Sequence, residues 1–195
     1  MRLFIKNRTP AQETVGGGKL NLLLSGFSRQ ALVPVDDIVR SIDLLPSFHL
    51  EGLREIVYLP DYAPAASGFF CNGFFRAEPK GEFVQRERRI FVYRFDSPAM
   101  FFQMLHHEIA HFVFFLVIGS RVKKRWVTEV FPGSACVTAY ASVNPWEDFA
   151  ETYAYYVLHR RVLEKELPEK HAFMREYVFS GSPENLKESD REGAS

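Results

Sequence analysis

The chain is short of cysteine and carries no net charge. Its two cysteines, Cys71 and Cys136, stand far apart with no CxxC pair, which excludes a cysteine-rich zinc knuckle and a disulfide scaffold. Two buried thiols or one bridge both fit. The 24 basic and 24 acidic side chains cancel, so a general nucleic-acid or anionic-membrane binder is not expected. The start, "MRLFIKNRTPAQETVGGGK", has positive charges without an apolar run behind them, and "LNLLLSGF" is short and lies beyond a triple glycine. No secretory signal is read there, and the cytoplasm is the default expectation. The signature of disorder is missing too: 47% of the 195 residues are hydrophobic and 19 are phenylalanine, enough for a sizeable core.

One long apolar window is present. Pro98 to Gly119 approaches the length of a membrane span, but three histidines, Gln103 and Glu108 would make it expensive in lipid. A buried central helix is expected instead, and no membrane span.

Around it the punctuation describes a small α+β domain, with short strands feeding long helices. "VPVDDIVRSIDLLPSF" has helical spacing at Val35, Ile38, Val39, Ile42 and Leu45, while "LREIVYLP" and "RRIFVYRF" read as strands. Ser97 and Pro98 mark the start of the central helix and Gly119 its end. The basic run Arg121-Val122-Lys123-Lys124-Arg125 reads as a solvated loop rather than a site for an acidic segment. Asn144 and Pro145 open a second long helix through "WEDFAETYAYYVLHRRVLEKEL", with Trp146, Phe149, Ala150, Tyr153, Ala154 and Val157 on its apolar face. "EKHAFMREYVF" predicts a shorter amphipathic helix. The expected organisation is a flexible segment over 1–19, one domain over 20–179 and a disordered tail over 180–195, with no internal repeat.

Three of the six histidines fall within "MLHHEIAHFV". His107-Glu108-Ile109-Ala110-His111 is an HExxH motif. On a helix, i and i+4 share a face, so His107 and His111 present two imidazoles to one point, a pairing that suits zinc. Glu108 is displaced around the helix, free to act on water as a general base without itself binding metal. The plainer alternative is three core histidines satisfied by their neighbours. Against it stands Glu108, costly to bury in an apolar helix without a partner. A catalytic zinc needs a third protein ligand; Glu147, Asp148 and Glu151 on the next long helix are candidates, although acidic residues favour a helix start in any case. No histidine follows His111 closely, which excludes HExxHxxGxxH. His159, at the solvated end of the second helix, reads as a surface residue.

"HHEIAH" followed by "YASVNPWEDFAE" resembles the zinc peptidase family of anthrax lethal factor and the Pro-Pro endopeptidases, of gluzincin type, over roughly residues 105–156. The resemblance implies a zincin-like domain in which a short β-sheet packs on the HExxH helix. It implies Zn2+ held by His107, His111 and Glu147, Glu108 as general base, Tyr140 as a hydroxyl facing the oxyanion, and Glu151 supporting a ligand. His106 is a further candidate for a supporting role or for the cleft lining.

The function expected is therefore a zinc-dependent endopeptidase acting on a peptide or protein, with no nucleic-acid partner and an undetermined oligomeric state. "GFFCNGFF" is either core or an edge along which a peptide could extend. A zinc hydrolase of a non-peptide amide, or a catalytically inactive zincin-fold binding domain, would use the same side chains.

Overall fold

The computed structural model describes residues 2–6, 14–15, 21–60, 81–181 and 185–186. Six strands, β1 (Arg2–Lys6), β2 (Thr14–Val15), β3 (Asn21–Ser25), β4 (Glu55–Tyr58), β5 (Gly81–Val84) and β6 (Arg89–Val92), form one sheet in the order β2-β1-β3-β4-β6-β5. β3, β4 and β6 run parallel at its centre, while β5 folds back antiparallel on β6. Parallel neighbours need a crossover, and α1 (Val35–Asp43) lies in the one joining β3 to β4. Leu22, Leu24, Ile56, Ile90 and Val92 are fully buried on these strands, in the alternation expected of a sheet with a covered face.

The central helix α2 (Pro98–Phe112) packs against β5 and β6. Ser97 caps it by accepting from the Met100 amide at 3.2 Å. A wider last turn carries it on through Val113–Val117, where the Ile118 N–H donates to the Val113 carbonyl at 3.0 Å. Phe101, Leu105, Ile109, Ala110, Phe112 and Val113 are buried around much of its circumference. Pro98–Val117 has the length and apolarity of a membrane span, yet here it is the core helix of the domain. Gly81 lets β5 lie close on it: a Cβ there would fall 2.5 Å from Met104 Sδ and 3.1 Å from the Phe91 carbonyl oxygen.

The basic run is helix, not loop. It forms α3 (Ser120–Arg125), continued through Trp126–Val130 and followed by α4 (Phe131–Gly133). Val122 and Trp126, four residues apart, are both buried, so the charges occupy the outer side of an element held by that stripe.

α5 (Pro145–Leu158) starts where expected, its Asn144 cap accepting from the Trp146 and Glu147 amides. Phe149, Ala150, Tyr153 and Ala154 are buried against the core, with Phe149 meeting Phe114 at 4.9 Å between ring centroids. Two details differ from expectation. Trp146, in the first turn, is exposed. The helix also does not run unbroken: His159, at φ −132 and ψ 39, interrupts it before α6 (Arg160–Glu166) and α7 (Pro168–Phe173).

Within the segment expected as a tail, Leu186 forms an antiparallel bridge with Ile118, and the Gly119 N–H donates to the Asn185 carbonyl at 2.9 Å. Cys136 is a half-buried free thiol. Cys71 and "GFFCNGFF" lie outside the described residues.

Candidate metal centre

α2 and α5 form the most extensive helix–helix contact of the domain. Their packing brings the two halves of the sequence pattern together. His107 and His111 come from one helix and Glu147 from the other, and their nearest atoms form a tight triangle. His107 Nε2 and His111 Nε2 are 3.0 Å apart, and Glu147 Oε2 lies 3.0 Å from the first and 3.3 Å from the second.

This is a buried His-His-Glu cluster able to coordinate a metal ion. Two imidazole nitrogens and a carboxylate oxygen at these separations are three lone-pair donors facing one point. Glu147 Oε2 is buried and, despite its short approaches, makes no hydrogen bond of acceptable direction. Orphaned buried acceptors are rare in folded proteins. Donors bound to one tetrahedral zinc at 2.0–2.2 Å stand about 3.3 Å from each other. The residues fit the metal.

The electrostatics agree. Burial would lower the pKa of His107, but the Glu147 and Glu151 carboxylates against its two ring nitrogens, with the charge of Glu108, push it up to about 10. Burial would likewise raise Glu147, yet His107 and His111 beside it bring it down to about 2. Three carboxylates around two imidazoles make a pocket for positive charge.

Glu108 is buried on α2, and burial raises its pKa; the positive charges of His107 and His111 oppose this, while Glu147 and Glu82 on β5 reinforce it. A carboxyl whose pKa is raised is a better proton acceptor than an ordinary one. Glu151, one turn beyond Glu147, engages with both of its oxygens. Oε1 lies 2.7 Å from His107 Nδ1, and Oε2 accepts from Thr138 Oγ1 at 2.9 Å. A carboxylate behind a metal-binding histidine fixes the ring and its tautomer.

Tyr140 sits in a single turn, Tyr140–Val143, beside the cluster. Its ring centroid is 5.8 Å from that of His107. Burial and the charges of Glu147, Glu108 and Glu151 raise its phenol well above the usual range, so the hydroxyl keeps its proton. It remains 44% exposed, open to an incoming molecule.

Two nominated residues lie elsewhere. His106 points to the core: fully buried, with Nε2 2.7 Å from Ser41 Oγ on α1 and its pKa lowered to about 4 by burial. Its ring is bonded into the core and has no hydrogen bond to His107, His111 or Glu147 among the described residues. Asp148, a candidate third ligand, is committed instead to Lys170 of α7, whose Nζ lies 2.5 Å from Oδ1. His159 is exposed, as expected.

Sequence reading missed Thr138 and Lys170. Thr138 had a local signal. A threonine three residues before an amide it can cap, here that of Ala141 at 3.1 Å, is a common turn device. Lys170 had none, because its partner lies on another helix.

Residues 133–173 match the family model described as "Putative zinc-binding metallo-peptidase". The match spans about a fifth of the chain, begins after the HExxH helix and includes Tyr140, Glu147 and Glu151. The arrangement is zincin-like: a gluzincin-type HExxH motif with a downstream glutamate, of the kind that supports metal-dependent hydrolysis. No curated protein matches the chain.

Proposed function

We propose that this chain is a zinc-dependent endopeptidase, resembling the family of anthrax lethal factor and the Pro-Pro endopeptidases in its catalytic domain. The observation that carries the reading is the convergence of His107 Nε2, His111 Nε2 and Glu147 Oε2 within 3.0–3.3 Å of one another, with Glu108 buried on the same helix.

His107, His111 and Glu147 would hold the ion. A zinc bound there would lower the pKa of coordinated water and polarise a carbonyl oxygen. Glu108 accepts the proton of the attacking water and returns it to the leaving amine. Tyr140 donates its phenolic O–H to the scissile carbonyl oxygen as negative charge develops on it. Glu151 keeps His107 oriented by accepting at Nδ1. The substrate is a polypeptide lying extended across α2 beside β5. Supporting this, β5 is the last strand of the described sheet, packs directly on α2, and bears Glu82, whose charge reaches Glu108.

The test is zinc reconstitution with metal analysis, followed by mass spectrometry of an unbiased peptide library. One zinc per chain and cleavage at defined positions are expected. A chain that takes up no zinc overturns the metal centre. An uncut library with zinc bound overturns the peptidase and directs attention to non-peptide amides or to a binding role.

A further inference from the structure

We infer that Thr138 is a positioning residue that couples the Tyr140 turn to His107 through Glu151. Its hydroxyl has one proton to give and lone pairs to receive, and both are used. Oγ1 donates to Glu151 Oε2 at 2.9 Å and accepts the Ala141 N–H at 3.1 Å. Glu151 in turn takes His107 Nδ1 at its other oxygen at 2.7 Å. The result is one hydrogen-bonded line: turn amide, threonine, glutamate, histidine.

The line matters because a carboxylate with only one engaged oxygen can rotate. A donor at Oε2 pins the carboxylate plane, and with it the direction from which Oε1 meets the imidazole. With Nδ1 donating to Glu151, Nε2 is the nitrogen left to face His111 and Glu147, and to bind a metal once it gives up its proton. The two histidines are unequal in this respect: His111 Nδ1 is buried with no hydrogen-bond partner among the described residues. The side-chain control of ring orientation therefore falls on His107, and Thr138 is its far anchor. The same hydroxyl holds the first turn of Tyr140–Val143, so the residue sets the ligand and the phenol together.

This inference rests on the metallopeptidase reading for its zinc arm only, so the metal-free chain supplies the first readout. In wild type, the His107 Nδ1–H should give a hydrogen-bonded NMR resonance with a defined ring ¹⁵N shift. Thr138→Val, nearly the same shape without the hydroxyl, should move and broaden it, and Thr138→Ser should restore it. An unchanged signal in Thr138→Val overturns the proposal, whether or not the chain binds zinc. In the second readout, chelator competition should show zinc affinity falling about 10- to 100-fold in Thr138→Val and returning in Thr138→Ser. In a Glu151→Gln background, Thr138→Val should cost no further affinity. A loss as large there as in wild type would show that Thr138 does not act through Glu151, and would overturn the coupling even with the fold intact.

Discussion

Lys170 Nζ lies 2.5 Å from Asp148 Oδ1, and neither side chain is exposed to solvent. The pair joins α7 to the first turns of α5, one residue beyond Glu147. Burial raises the pKa of Asp148, while Lys170 beside it pulls in the other direction. A hydrogen bond from Cys136 pulls the same way as Lys170, whose Nζ also lies 5.7 Å from the centre of the Trp126 ring.

Removing one partner leaves an uncompensated buried charge, which costs about 3–5 kcal/mol. Lys170→Met should lower stability by that amount in urea unfolding, and the double variant Lys170→Met with Asp148→Leu should recover much of it. A loss below about 1 kcal/mol in Lys170→Met would mean that Asp148 finds another partner or takes up a proton at little cost.

A second buried histidine makes stability depend on pH. His49 is fully buried, with Nε2 2.9 Å from the Val178 carbonyl and Nδ1 2.7 Å from Tyr153 Oη. A carbonyl can only accept, so Nε2 carries the proton and Nδ1 accepts from the tyrosine. Burial lowers the pKa from 6.5 to about 4. The unfolded chain therefore binds this proton first as pH falls, and stability from this group drops between about pH 6.5 and 4, then levels off. The full span is about 3 kcal/mol. His49→Gln keeps a donor and an acceptor but does not titrate, so its unfolding free energy should fall less between pH 7 and 4.5, by about 2–3 kcal/mol relative to wild type. Parallel pH profiles for the two proteins would show that His49 is not held neutral.

What could be read from the chain and what could not divides along one physical line. His107 and His111 were legible because four residues on a helix make one face. The helix that carries Glu147 was legible because Asn144 and Pro145 mark its start, while the choice of Glu147 over Asp148 and Glu151 came from the family resemblance. The histidine spacing and the helix start are both local signals. The commitment of His106 to Ser41, of Asp148 to Lys170 and of Glu151 to Thr138 depends on how α1, α5, α7 and the Tyr140 turn pack, and no spacing encodes that. The basic run was misread for a related reason: five residues with four cations look solvated until Trp126 is seen to extend the stripe that Val122 begins.

Glu108→Gln separates metal binding from chemistry. The substitution preserves shape and removes the basic oxygen, and Glu108 is not one of the three side chains that converge on the ion site. Zinc content should stay at the wild-type level while turnover falls by at least about a hundredfold, the lower end of what a positioned base contributes. Full activity in the zinc-loaded variant would remove Glu108 from the proposed mechanism.

Tyr140→Phe tests the other half of the mechanism. The phenol stands beside His107 with its ring 5.8 Å away, yet supplies no atom to the His-His-Glu triangle. Its zinc content should therefore be unchanged. The raised phenol pKa keeps the O–H available as a donor across the neutral range. A donor aimed at charge that exists only as the carbonyl is attacked contributes to the rate more than to binding. On a confirmed peptide substrate, kcat should fall on the order of 10²- to 10³-fold, the cost of losing one oxyanion donor, while KM changes little. A fall in affinity at constant kcat would make Tyr140 a wall of the binding cleft. Wild-type kinetics would leave the metal centre and Glu108 intact and take the phenol out of the reaction.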